Sequence, residues 1–285
     1  MLSAAQIQGY ECDGFLLLPA FKSPQSLAAA KAHAYALVKA FEPTPASPVF
    51  SSTDPARLAD AALMASASEV HCFFEEEAFD EQGQLRQAKA QSINKIGHAL
   101  HDRDDVFKAF SRGPELAALA QDLGIAEPQL WQSMLIFKQP HIGGEVRWHQ
   151  DASFFVTTPA TVTTFWFALE DATLDNGCLW VQPGGHRTPL REQFVCDHER
   201  FAREGQGLHM VLLDDTPWPR TETARALPVP AGTLVIFHGQ LPHYSAPNRS
   251  PDSRLAYTLH VTDGRAAYAP SNWLQRGPEL PVRGF

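Results

Sequence analysis

A chain of 285 residues with 44% hydrophobic and 19% charged residues can bury a full core, and its balance is that of a globular enzyme rather than a disordered or fibrous protein. The net charge of -9, with no block of Lys and Arg, gives no electrostatic reason to approach nucleic acid or an anionic membrane, so neither is an expected partner. The longest apolar runs, Gly14 to Ala20 and Leu234 to Phe237, are far too short to cross a bilayer.

The first residues carry neither a signal peptide nor a transit peptide pattern, and the expectation is a cytoplasmic protein. Cys12, Cys72, Cys178 and Cys196 form no C-x-x-C pair and read as reduced, small buried hydrophobes. After Asp13-Gly14, the run Phe15-Leu-Leu-Leu-Pro predicts a short buried strand. Ser23 to Phe41 predicts a helix, with Ser23 as N-cap and an Ala-rich body that must stop before Pro43. Ala88 to Leu123 predicts two or three further helices, interrupted near Asn94-Lys95-Ile96-Gly97 and Gly113-Pro114.

From about Gln129 the texture changes to short β-rich runs between Gly and Pro turns: Trp131 to Lys138, Thr161 to Leu169, Gly177 to Val181, Gly207 to Leu213, Thr233 to Phe237 and Arg254 to Val261. Successive strands after helices, without βαβ alternation, favour a double-sheet jelly roll over a doubly wound fold. The expected fold is mostly β with flanking helices, a double-stranded β-helix of the cupin-like kind. It forms one domain over residues 1–285, with a helical part at about 1–125 and a jelly-roll core at about 126–265.

Within that core, residues two apart on a strand share a face, so His149 and Asp151 present an imidazole and a carboxylate together while Gln150 points away. With 12 histidines in the chain such a triplet arises by chance, and it needs a third ligand. Two imidazoles and a carboxylate with open positions is the face that activates oxygen at Fe(II), and His243 at the entrance of a later strand completes it best, with His238 as the alternative. Ser245 shares the face of His243. Arg254 opens a strand whose same-side neighbours are Ala256 and Thr258, which implies room for an anion beside the guanidinium. His186 after Pro-Gly-Gly reads as turn-stabilising, and His141, His209 and His260 as satisfied structural histidines.

Trp148-His-Gln-Asp-Ala-Ser-Phe, Asn176-Gly-Cys-Leu-Trp, Pro183-Gly-Gly-His186 and His243-x-Ser245 followed by Arg254 together resemble the phytanoyl-CoA dioxygenase family, over nearly the whole chain. The resemblance implies Fe(II) at His149, Asp151 and His243, with 2-oxoglutarate and O2 as co-substrates. It places the distal carboxylate of 2-oxoglutarate on Arg254, assisted by Ser245, and puts Lys95, Met134 and Trp166 along the co-substrate pocket. From the residues alone, Lys95 also reads as a solvated helix end, Met134 as a core filler and Trp166 as a core aromatic.

The implied chemistry is oxidative decarboxylation of 2-oxoglutarate coupled to hydroxylation of a small organic substrate such as an acyl-CoA or another carboxylate. Demethylation of a methylated macromolecule by the same centre is a second reading, and a non-catalytic cupin-like sensor of metal or 2-oxoglutarate a third. The segment from about Thr188 to Arg225 is expected to cover the site in part. Its Arg187, Arg191, Arg200 and Arg203 would either meet an anionic substrate group or form a solvated face balanced by Glu192, Asp197, Glu199 and Glu204.

Overall fold

The computed structural model describes residues 1–44, 46–52 and 61–285. Helix α1 (Ala4–Asp13) starts in a capping box between Ser3 and Gln6 and stops at Gly14, whose φ of 82° is the left-handed turn that glycine adopts freely. The turn delivers strand β1 (Phe15–Leu18), half-buried at a sheet edge. Helix α2 (Pro24–Ala40) follows the sequence expectation closely: the Ser23 side chain accepts the amide of Ser26, Pro24 sits in the first turn, and Ala30, Ala34 and Val38 bury one stripe at i, i+4, i+8.

Helix α3 (Ala61–Ala65) leads to the paired strands β2 (Val70–Phe74) and β3 (Ile93–His98). β3 corrects the expectation for Asn94-Lys95-Ile96-Gly97, which is a buried strand and not a break between helices. Ile93 and Ile96 are fully buried in the main core and β3 pairs with β4 (Pro128–Lys138), so tertiary pairing decides a segment whose local pattern is ambiguous. The helices α4 (Leu100–Arg103), α5 (Asp105–Phe110) and α6 (Pro114–Asp122) lie between β3 and β4.

Beyond β4 come β5 (Val146–His149), β6 (Thr157–Thr158), β7 (Thr163–Ala168), β8 (Leu179–Val181), β9 (Glu192–Cys196), α7 (His198–Glu204), β10 (Leu208–Leu212), β11 (Arg225–Leu227), β12 (Leu234–His238), β13 (His243–Ser245), β14 (Arg254–Asp263) and β15 (Ala267–Tyr268). A seven-stranded antiparallel sheet runs β1-β12-β7-β14-β4-β3-β2, and a four-stranded one runs β11-β8-β13-β5. The architecture is a mixed α/β fold around a central antiparallel sheet, and among the described residues the strands form no closed barrel. β1, the strand expected after Gly14, extends that sheet at one edge, and β2 and β3 extend it at the other.

β14 shows how the sheet is held. Leu255, Tyr257, Leu259 and Val261 alternate into the main core with no exposed surface, each contributing roughly 1.5–3 kcal/mol of burial, while Arg254, Ala256, Thr258 and His260 take the opposite face. On that opposite side a second cluster joins the two sheets. Trp166, Val235, Phe237 and Ala256 come from the large sheet, and Leu179, Val181 and Leu227 from the small one. Cys72, Cys178 and Cys196 are buried free thiols as expected, whereas Cys12, at the exposed end of α1, is not. Among the described residues no helix is long and apolar enough to cross a membrane.

Candidate metal centre

β5 ends at His149 and β13 begins at His243, and the two residues face each other across the antiparallel pair. Their rings stand side by side with centroids 4.0 Å apart. Asp151 is not on the strand that the i, i+2 spacing implied, because the chain leaves β5 at Gln150 and Asp151 opens a single 3-10 turn (Asp151–Ser153). Gln150 pins this bend from inside: its amide donates to the carbonyls of Pro189 and Gln240, and its oxygen accepts the Arg191 amide. One ligand atom each from His149, Asp151 and His243 then lies within 4.8 Å of the others.

The protons are arranged for a metal. His149 Nδ1 sits 2.8 Å from the Arg147 carbonyl and His243 Nδ1 3.0 Å from the Leu241 carbonyl, so each Nδ1–H donates to backbone and leaves an Nε2 lone pair facing Asp151 Oδ1, at 3.5 and 3.7 Å. Burial, with His149 alongside, lowers the His243 imidazole to about 4, which keeps it neutral and able to ligate. Burial opposes ionisation of Asp151, yet His243, His260 and His149 around it hold its carboxyl well below the usual range.

The outer oxygen of Asp151 is held as well. Thr164 Oγ1 donates to Oδ2 at 2.5 Å, and His260 Nε2 lies 3.4 Å from the same atom. His260 is stacked on Phe155, and its Nδ1 is buried without a partner among the described residues. The expectation that His260 is a satisfied structural histidine is thus corrected. Its signal in the sequence was the i, i+2 row Arg254, Ala256, Thr258, His260, which places it on the face of Arg254. His209 is exposed on β10, and His141, exposed in a turn, donates from Nδ1 to the Arg249 carbonyl at 3.4 Å. His238 accepts the Gln240 amide and stays out of the cluster, whereas His186 ties its turn to the Glu11 carbonyl.

A cavity of about 150 Å³ opens onto His149 and Asp151. Its wall is mainly apolar, including Phe50, Met134, Ile136, Phe154, Phe194 and Trp273, with Lys95, Arg147 and Glu192 as its charged members apart from the ligand Asp151. Lys95 reaches it from β3. Its Nζ stands 3.3 Å over the Phe50 ring, with no carboxylate partner among the described residues, and burial lowers it to about 7.

Arg254, Ser245 and Trp166 do not line this cavity. Trp166 belongs to the cluster between the sheets, with the Arg254 guanidinium 5.7 Å from its ring. Ser245 donates to the Gly177 carbonyl. Arg254 is 2% exposed and, among the described residues, forms no ion pair, reaches only the Ile136 carbonyl at 3.5 Å and leaves Nε unpaired; Thr258 Oγ1, four residues on along the same face, is unpaired among them too. Burial accordingly lowers Arg254 to about 10.

The segment beyond Thr188 partly covers the site, because β9 and β10 form a hairpin whose Glu192 and Phe194 line the cavity. Its arginines do not meet the cavity. Arg187 donates to the Cys12 carbonyl, Arg191 stacks on Trp218, and Arg200 and Arg203 pair with Glu204 on exposed α7.

Two imidazoles, each with its Nε2 lone pair turned inward, and an ionised carboxylate that share one point, with their outer atoms already hydrogen-bonded, form a 2-His-1-carboxylate facial set, which suits Fe(II) with positions left for co-substrates. The class this site defines is the 2-oxoglutarate-dependent non-haem iron oxygenases. Residues 10–256 match the model of the phytanoyl-CoA dioxygenase (PhyH) family, and the chain belongs to that family. It is 41% identical to phytanoyl-CoA dioxygenase 1 of Oryza sativa subsp. japonica over 278 residues, which cover 96% of this chain and 94% of that protein. It is also 38% identical to phytanoyl-CoA dioxygenase domain-containing protein 1 of Mus musculus over 287 residues, 98% of this chain and 97% of that one. Among solved structures, EctD from S. alaskensis with 2-oxoglutarate and 5-hydroxyectoine is similar in fold, with a TM-score of 0.64 at 19% identity, over 100% of this chain and 87% of that one.

Proposed function

We propose that the protein hydroxylates a small organic substrate bearing a carboxylate or acyl group, with 2-oxoglutarate and O2 as co-substrates of an iron held by His149, Asp151 and His243. The observation that carries this reading is the ligand-ready triad beside an apolar cavity, with two buried cations, Lys95 and Arg254, that have no carboxylate partner among the described residues. A dianionic co-substrate supplies what both lack. Bound iron would let O2 oxidatively decarboxylate 2-oxoglutarate, with one oxygen atom entering succinate as CO2 leaves and the other delivered to the substrate.

The work of the chain is then positioning and exclusion of water. In this reading Arg254 anchors the distal carboxylate of 2-oxoglutarate, Ser245 and Trp166 flank that anchor, and Lys95 and Met134 border the co-substrate from β3 and β4. The carbonyls of Arg147 and Leu241 keep both imidazoles in the ligating tautomer, while Thr164 and His260 hold Asp151 to one free oxygen. Phe154, Phe155 and Phe194 screen the reacting face from solvent. We read the two sheets as the facing halves of a jelly roll, a reading supported by the apolar cluster they share. The test is anaerobic binding of Fe(II) and 2-oxoglutarate, followed by O2 and metabolite profiling for a mass gain of one oxygen. Absence of 2-oxoglutarate binding, or of any oxygenated product across broad extracts, would overturn it.

A further inference from the structure

Arg147 and Glu192 form a two-pronged ion pair on the cavity wall, with Nη2–Oε2 at 2.7 Å and Nη1–Oε1 at 3.2 Å. They come from different elements: Arg147 from β5, two residues before a metal ligand on the same strand face, and Glu192 from the first position of the β9–β10 hairpin. Neither is deeply buried, at 32% and 16% side-chain exposure. The Arg147 guanidinium keeps access to solvent on the cavity wall, so a carboxylate entering the cavity can compete with Glu192 for it. The same wall carries the apolar side chains of Val146, Phe154 and Phe194.

We propose that Arg147 is the anchor for a free carboxylate on the substrate, and that Glu192 holds the guanidinium in place until that carboxylate replaces it. This inference rests on the oxygenase reading above and narrows its substrate to a small organic acid with an apolar body. The spacing selects among anions. Arg147 and His149 lie two residues apart on one strand face, about 6.6–6.8 Å along the backbone, and line the same cavity with Asp151, so an anion at Arg147 and the metal ligands share one small substrate volume. A coenzyme A thioester carries its phosphates a full pantetheine arm from the acyl carbons and would leave Arg147 paired with Glu192. The fork of the guanidinium also matches a carboxylate in the plane where Glu192 now binds.

The experiment is calorimetric titration of 3-phenylpropionate and hexanoate, their primary amides, and hexanoyl-CoA. Wild type, Arg147→Ala, Arg147→Lys and Glu192→Gln are each examined with and without Mn(II) and 2-oxoglutarate. The main-chain carbonyl that holds His149 is retained in every variant. Expected are binding of the acids at least tenfold tighter than of their amides, loss of that preference in Arg147→Ala, partial recovery in Arg147→Lys, and acid binding severalfold tighter in Glu192→Gln. Equal affinity for acids and amides, unchanged acid binding in Arg147→Ala, or preference for hexanoyl-CoA would overturn the proposal. Binding of 2-oxoglutarate in the same samples reads the parent assignment separately: its absence in wild type removes the oxygenase reading, while the metal-free titrations still decide whether Arg147 reads a carboxylate.

Discussion

Thr164 Oγ1 lies 2.5 Å from Asp151 Oδ2, the carboxylate oxygen turned away from the two imidazoles. The contact reaches across from β7 of the large sheet, so the rigid sheet and not the 3-10 turn fixes which oxygen of Asp151 is free. A buried hydrogen bond to a charged group is worth about 1.5–3 kcal/mol, and outer partners of metal ligands typically change affinity by about 10–100-fold. Thr164→Val, which keeps shape and removes the donor, should weaken Mn(II) or Fe(II) binding by roughly that factor, and Thr164→Ser should restore most of it. Calorimetric metal titration checks both, and unchanged affinity in Thr164→Val would remove the proposed role.

Arg254 is the second point of test. Arg254→Ala should weaken 2-oxoglutarate binding by tenfold or more, because one charge-assisted bond to a carboxylate is worth about 1.5–3 kcal/mol and the guanidinium fork offers two. Ser245→Ala should cost less, since the Ser245 hydroxyl already donates to Gly177. Metal affinity should persist in both, and equilibrium binding of metal and co-substrate separates the two effects. Unchanged 2-oxoglutarate affinity in Arg254→Ala would assign the anchor to another cation.

Lys95 gives a pH dependence of stability. Burial lowers its ammonium from 10.5 to about 7, so between those values the unfolded chain binds a proton that the folded chain does not, and stability rises with pH across that window. Below pH 7 both states are protonated and the full penalty of the buried charge is present. Lys95→Met should therefore stabilise the metal-free protein by a few kcal/mol at pH 6, with the advantage shrinking toward pH 10. Urea denaturation of both proteins at pH 6, 8 and 10 measures this, and a difference independent of pH would show that Lys95 remains charged throughout.

The sequence carried more of the metal centre than of its surroundings. His149, Asp151 and His243 were legible because strand alternation and the entry of a later strand bear on them directly, even though Asp151 reaches its place through a 3-10 turn held by Gln150. Strand β3 was not legible, because Asn94, Lys95 and Gly97 have weak β preference and only pairing with β2 and β4 makes them strand. His260 and Thr164 escaped for a related reason: each is an ordinary β residue until the register of β14 with β7 sets them side by side around Asp151. The covering segment beyond Thr188 was legible from its length and turn residues, but that its hairpin sets Glu192 against Arg147 depends on tertiary packing that no local pattern records.

The most direct test of the central claim is succinate formation from 2-oxoglutarate by the Fe(II)-loaded protein in air, without added substrate, comparing wild type with Asp151→Ala. Asp151 contributes a ligand oxygen and little core volume, so the variant should keep the circular dichroism spectrum of the wild type. Wild type should form succinate in step with 2-oxoglutarate consumed, and Asp151→Ala should lose at least a hundredfold of that rate. Succinate formation by a folded Asp151→Ala protein at the wild-type rate would contradict the assignment of His149, Asp151 and His243 as the site of the reaction.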